Sequence, residues 1–355
     1  MTLQDKPFDI SRIKEFYKGK RILITGGAGA IGTNLVSALV ACKPERVYVL
    51  DDLSASQKWN LKSSDRLLFV EGSITDEISL KRVFNEKPDL VFHLAAFFAN
   101  QNSVDFPEKD LNVNGIGTLK LLQYSKLSNV SRFIYASSGC SIYGGEAPLP
   151  LREEFMSMRL STPYQITKML GELYCNFFIS HYDMDVVKAR FFNSYGPGEI
   201  PGQYRNVIPN FIYWALSGKQ LPITGNAKAT RDFTYVGDLV EGLLRTGAIA
   251  EAKGLEFNLS GEREIEIGFL AEEINRLTNN KAGIKIVGGR KWDTKQRLLA
   301  SIDRARAVLG YEPSMNFEDG LKITIQWFLD NWEKIQSSAE FPPGVSSAVR
   351  EEVNS

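Results

Sequence analysis

The sequence predicts an α/β protein: a doubly wound parallel sheet followed by a smaller mixed α/β domain. Three observations lead there. The apolar run Arg21–Thr25 opens onto GGAGAIG, with Gly26, Gly29 and Gly32 at G-x-x-G-x-x-G spacing ahead of an amphipathic stretch. A second apolar run, Arg46–Leu50, ends at Asp51, about 20 residues past the loop. Strand-like and helical runs then alternate to about residue 190, the pattern of parallel strands covered on both faces.

Each element follows in order. Glycine permits positive φ and lets a pyrophosphate approach the backbone of the turn after the first strand. The helix beginning at Ala30, Ile31 and Gly32 offers its free N–H groups to that anion. Asp51 is placed to accept the ribose hydroxyls of an adenosine, and its charge repels a 2′-phosphate, which favours NAD over NADP. Further strands are expected at Leu67–Glu71, Leu90–Leu94, Arg132–Ser137 and Val186–Arg190, with helices at Ala30–Ala41, Ile78–Phe84, Leu111–Leu127 and Tyr164–Tyr182. Ligands of such a sheet gather beyond the carboxyl ends of its strands.

After Arg190, glycines and prolines between residues 196 and 202 mark a long loop. A helix at Val207–Leu216, a strand and turn through Thr224 and Gly225, and short strands near Glu256–Leu259 and Ile284–Val287 around a helix at Ile267–Leu277 come next. Two closing helices, Ile302–Leu309 and Phe317–Trp332, carry apolar residues at helical spacing. The expected organisation is a polar extension over 1–20 with one amphipathic piece, Ile10–Tyr17, and a dinucleotide-binding domain over 21–190. A mainly substrate-binding domain over 191–334 sends some segments back to the first, and 335–355 forms a mobile tail.

Lys plus Arg and Asp plus Glu both number 42, so no bulk charge draws the chain to nucleic acid or an anionic membrane. No apolar run reaches membrane-spanning length and the N-terminus lacks a secretion signal's apolar core, so a cytoplasmic protein is expected. Three cysteines and two histidines suit neither a disulfide framework nor a zinc site, and no structural metal is expected. Tyr164 and Lys168, four apart on a predicted helix, share a face. The ammonium is expected to lower the phenol's pKa toward that of a usable base.

TGGAGAIG at 25–32, LDDLS at 50–54, HLAA at 93–96, NVNG at 112–115, YASS at 135–138, YQITK at 164–168, FFNSYGPGE at 191–199 and RDFTYVGDLVEG at 231–242 together resemble the extended short-chain dehydrogenase/reductase family. More narrowly they look like its NAD-dependent nucleotide-sugar epimerases and dehydratases, of the UDP-glucose 4-epimerase kind, from Gly19 to about Trp332. The resemblance implies that Ser138 hydrogen-bonds the reacting sugar hydroxyl, that Tyr164 takes its proton, and that Lys168 binds the nicotinamide ribose and tunes the tyrosine. It implies NAD contacts at Gly26, Gly29, Ala30, Ile31, Gly32, Asp51, Ser73, Ile74, Leu94, Ala95, Ala96 and Asn112. Ser73 replaces the usual aspartate at the adenine amine, which shifts that duty toward the Ile74 backbone. His93 is read as structural.

The implied substrate is a nucleotide sugar, with UDP favoured, held by Ser138, Asn193, Val207 and Arg231 and by Arg290 or Arg297. The competing reading of Arg231 is a salt bridge to Asp232 or Asp238. Relatives that dehydrate carry an Asp-Glu pair after the catalytic Ser or Thr, where this chain has Gly139 and Cys140, and decarboxylating relatives usually keep a Glu in this region. A 4-epimerase needs neither. Cys140 has the spacing of a proton-exchanging cysteine in relatives that invert C3 or C5, against the reading of a small half-buried residue, and the loop at 199–206 supplies no Lys or His as its second base. The stretch from Ser138 to Tyr143–Gly144 is one residue longer than in most relatives, leaving Ser141 open. The family further implies a homodimer through helices 111–127 and 164–182. A non-catalytic NAD sensor is disfavoured by the retained Ser138, Tyr164 and Lys168.

Overall fold

The computed structural model describes residues 9–341 apart from 291 and 294. Six strands, β1 (Arg21–Thr25), β2 (Arg46–Asp51), β3 (Leu67–Glu71), β4 (Leu90–His93), β5 (Arg132–Ser138) and β6 (Val186–Phe191), form a parallel sheet with a seventh, Glu256–Leu259. Their spatial order is Glu256–Leu259, β6, β5, β4, β1, β2, β3, and every pairing is parallel. Side chains of a strand alternate between faces. Ile22 and Ile24 therefore enter one core with Leu35, Leu39 and Leu243, while Leu23 enters the other with Phe133, Leu121 and Phe178. The strand order reverses between β1 and β4, and the crevice there is the topological switch point at which such sheets bind ligands.

The seventh strand comes from beyond residue 190 and joins the first sheet. Phe257 and Leu259 are fully buried and extend the sheet beyond β6, with Phe257 in register with Ala189. The helix before it, Val236–Ala248, packs Leu239 and Leu243 against the helix Ala30–Ala41. The rest of the C-terminal half builds its own core from Phe211, Ile212, Ile223, Leu270, Ile274, Leu321 and Phe328. Leu221–Thr224 pairs in parallel with Ile284–Val287, and Thr230–Asp232 pairs antiparallel with Glu264–Glu266.

Three further differences have physical causes. The expected helix 111–127 opens as the short turn Pro107–Asp110, widens to i→i+5 turns over Leu111–Gly117 and tightens at Thr118–Leu127. Such widened turns are frequent at functional sites. The closing helix breaks at Asn331, and Trp332–Ser338 follows as a separate helix. The start of the expected tail is packed rather than mobile: Ile335 is buried, Glu340 bridges to Gly202, and the ring of Phe341 stacks on Tyr213 at 5.3 Å. Residues 342–355 lie outside the described residues, as do 1–8 at the other end. In the N-terminal extension, Asp9 caps the helix Ile10–Phe16, and Tyr17 is buried, donating to Leu244 O.

Candidate active site

A cavity of about 510 Å3 runs from the glycine turn across the ends of β1, β4 and β5 and into the C-terminal half. At one end Gly26 holds φ +72°. A Cβ there would lie 2.6 Å from Ala95 N, and one on Gly32 would lie 2.3 Å from Gly26 O. Glycine is therefore required both by the turn and by the approach of the helix to it. The helix Ala30–Ala41 has no side-chain cap, so its first N–H groups are left for an anion. Asp51 is buried at the end of β2. Its Oδ2 accepts from Ala28 N at 2.9 Å, and its Oδ1 accepts from Leu53 N at 2.9 Å and Ser56 Oγ at 2.7 Å.

The cavity wall between the two ends is made by Ser73, Ile74, Leu94, Ala95 and Ala96. The Ser73 hydroxyl is occupied within its own turn by Thr75, at 3.0 Å. His93 joins Thr25 Oγ1 at 2.8 Å to Thr118 Oγ1 at 2.9 Å. Burial, helped by the charge of Lys168, drags its pKa down to about 3, so it works as a neutral brace. Asn112 is exposed and lies off the cavity wall. Through the widened turn it is Asn114, two residues on, that points inward. Its Oδ1 accepts from Phe97 N at 2.8 Å, and its Nδ2 donates to Phe97 O at 3.1 Å and Asp110 Oδ1 at 2.8 Å. NVNG contains both asparagines, and only the helix phase separates them.

At the other end, Ser138 closes β5 and donates to Ser141 Oγ at 2.9 Å. Tyr164 and Lys168 project from the helix Pro163–Tyr182, whose start is set by Pro163 in its first turn and by Thr162 accepting from Gln165 N at 3.3 Å. Lys168 Nζ donates to Ala136 O at 2.9 Å and lies 5.7 Å from the centre of the Tyr164 ring. Burial lowers Lys168 to about 8 against the opposing pull of Asp110. Tyr164 is pushed above its ordinary value by burial, then by Asp110 and Cys140, with the Ser138 hydroxyl opposing. In the protein alone, desolvation of the phenolate opposes the lowering expected from the Tyr–Lys spacing. Cys140 accepts from Asn193 N at 3.3 Å, and burial raises its thiol to about 11.

Beyond Cys140 the wall is cationic. Arg231 pairs with neither Asp232 nor Asp238. Its Nη2 reaches both oxygens of Asp293, at 2.9 and 3.1 Å, while Nη1 donates to Thr230 O and Lys295 O. Asp232 is buried, accepting from Ser260 Oγ and Ala300 N, and Asn193 Nδ2 donates to its carbonyl at 3.1 Å. Arg290 stands over the Trp292 ring at 5.5 Å, with a buried Nε that has no hydrogen-bond partner among the described residues. Arg297 lies off the cavity wall. Its side chain is 60% exposed and paired with Glu264, which the antiparallel pairing with Thr230–Asp232 carries to the outside. Val207 begins a helix without a side-chain cap, and the amide of Asn206 before it donates to Glu199 Oε1 at 2.8 Å.

Among the lining residues, Lys295, Trp292 and Gln101 escaped the sequence reading. Lys295 Nζ donates to Cys140 O at 2.8 Å, and Trp292 Nε1 donates to Gln101 Oε1 at 2.9 Å. Arg205 bonds to Ala55 O across the cofactor end, next to Glu199, whose carboxyl is raised by burial to about 7. The run RKWDTK at 290–295 carries a signal for this wall beyond its arginine.

A parallel doubly wound sheet with this glycine turn and a Ser, a Tyr and a Lys facing one cavity defines a class, that of the dinucleotide-dependent enzymes. The chain belongs to the NAD dependent epimerase/dehydratase family, whose match spans residues 22–260, and NAD is its cofactor. It is similar to the structure of an epimerase from the thermophilic pseudomurein-containing methanogen Methanothermobacter thermautotrophicus, at 52% identity and TM-score 0.92 over 95% of this chain and 100% of that one. The UDP-glucose 4-epimerase of Thermotoga maritima, solved with UDP-glucose, is 32% identical with TM-score 0.83 over 88% of this chain and 99% of that one. The UDP-glucose 4-epimerase of Mycolicibacterium smegmatis is 33% identical over 311 residues, 87% of this chain and 98% of that protein.

Proposed function

We propose that the protein is an NAD-dependent nucleotide-sugar 4-epimerase acting on a UDP-hexose or UDP-hexuronic acid. The observation that carries this reading is what stands beside Ser138. Gly139 and Cys140 follow it, and the thiol is held protonated by burial. Among the described residues no carboxylate free of a partner faces the same end: Asp293 is clamped by Arg231, and Asp110 is spent on Thr167 and Asn114. Dehydration and inversion at C3 or C5 require a further acid or base there. Inversion at C4 does not.

In this reading the cofactor end is Gly26, Gly29, Ala30, Ile31, Gly32, Asp51 and the wall from Ser73 to Ala96, held mainly by residues 21–190. The nucleotide sugar lies mainly against residues 191–334. When bound, NAD+ supplies reversible two-electron oxidation of the sugar's C4. Ser138 orients the C4 hydroxyl, Tyr164 takes its proton and later returns it, and Lys168 holds the nicotinamide ribose beside them. Arg290 and the uncapped start of Val207–Leu216 favour the diphosphate, with Asn193 between them and the sugar. Exposed Ile166, Leu173 and Phe177 line one side of the helix Pro163–Tyr182, beside exposed Ile116 and Leu127. This apolar face supports a homodimer.

Tyr164→Phe tests the assignment. It keeps the ring and removes the proton acceptor, so turnover should fall by roughly 10²- to 10⁴-fold with the fold and NAD content retained. A variant that still turns over at the wild-type rate refutes the role.

A further inference from the structure

We propose that Lys295 is a specificity-determining residue that binds the carboxylate of an acidic sugar, making the preferred substrate a nucleotide-linked hexuronate rather than a neutral hexose. The inference rests on the 4-epimerase reading of the site and narrows it.

Among the described residues, three cations, Arg231, Arg290 and Lys295, and one carboxylate, Asp293, line the substrate side beyond Cys140. Arg231 and Asp293 neutralise each other through both carboxylate oxygens. Arg290 keeps a buried, unpartnered Nε and, with the start of Val207–Leu216, suits the diphosphate. Lys295 is left over. Among the described residues its ammonium makes one bond, to the carbonyl of Cys140, where it has three donors to give. Among those residues the carboxylate whose charge acts on it is Asp293, already taken.

Its place along the substrate matters as much as its charge. The diphosphate leaves the sugar at C1, and C4, across the ring, has to reach Ser138 and Tyr164. A cation seated on the carbonyl of Cys140, two residues past Ser138, therefore meets the C4 end of the ring. The groups near C4 are the C3 hydroxyl and C6, and of these only C6 of a hexuronate is charged. A partly buried ammonium short of partners is costly, and a carboxylate at C6 offsets that cost with a charge-assisted pair that a hydroxymethyl group cannot make.

The test is calorimetric binding of UDP-glucuronate and UDP-glucose to the full-length, NAD-loaded protein, alongside turnover of both. Wild type should bind the hexuronate more tightly by roughly 10- to 100-fold, the range of a hydrogen bond to a charged group. Lys295→Gln can still donate to the Cys140 carbonyl, and it should collapse that ratio toward one. Lys295→Arg should keep the preference. A wild-type preference for the neutral sugar, or a ratio unchanged in Lys295→Gln because both sugars lose equally, overturns the proposal. Absence of turnover on either sugar would count against the 4-epimerase reading, while the binding ratio still decides the role of Lys295.

Discussion

The ion pair beneath the site allows a double-mutant test of how the loop after Ser138 is supported. Arg190 and Glu172 have side chains only 2% exposed and meet fork to fork, Nε to Oε1 at 2.9 Å and Nη2 to Oε2 at 2.8 Å. Glu172 also accepts from Ser137 Oγ, and Arg190 Nη1 donates to Tyr143 OH, which donates to Asn258. Glu172→Gln leaves the buried guanidinium without its paired carboxylate, which costs about 3–5 kcal/mol. Arg190→Met should cost a similar amount by stranding the carboxylate. The double variant removes both charges, so its loss should fall well below the sum, with a coupling of about 1–3 kcal/mol. Urea unfolding followed by tryptophan fluorescence measures all four corners. Single losses under about 1 kcal/mol, or strict additivity, would refute the reasoning.

Two further outcomes follow from the same geometry. Glu199 has a folded-state pKa of about 7, above its ordinary 4.5, so between these values the folded state holds more protons than the unfolded one and stability falls as pH rises through that window. The decline amounts to at most about 3 kcal/mol, and Glu199→Gln should abolish it; melting curves at about pH 5 and pH 8 that shift equally for variant and wild type would contradict the assignment. Leu173→Asp places a charge on the exposed apolar face of the helix Pro163–Tyr182 and should convert a dimer to a monomer in sedimentation velocity, whereas an unchanged sedimentation coefficient removes that face from the interface.

Much of this architecture is legible in the sequence because its signals are local. The glycine spacing after Arg21–Thr25, Asp51 at the end of the next strand, and the alternation of strand-like and helical runs through β6 each depend on residues close in the chain. What sequence does not carry is helix phase and long-range pairing. Asn112 and Asn114 are equivalent candidates until the widened turn over Leu111–Gly117 sends Asn114 inward. Arg231 has two carboxylates near it in sequence, yet it pairs with Asp293, 62 residues away. Arg297 looks equivalent to Arg290 until the strand Glu264–Glu266 draws it to the surface. The Tyr164 phenol differs in kind: the Tyr–Lys spacing places the pair on one face, while the desolvation that opposes ionisation depends on burial, which pattern alone does not measure.

The central claim is tested most directly by proton NMR of UDP-sugars incubated in heavy water with the purified protein and no added cofactor. The account predicts inversion at C4, with the C4 hydrogen retained and no deuterium entering the ring. Deuterium at C3 or C5, or turnover that starts only when NADH is supplied and consumes it in proportion to product, would contradict it.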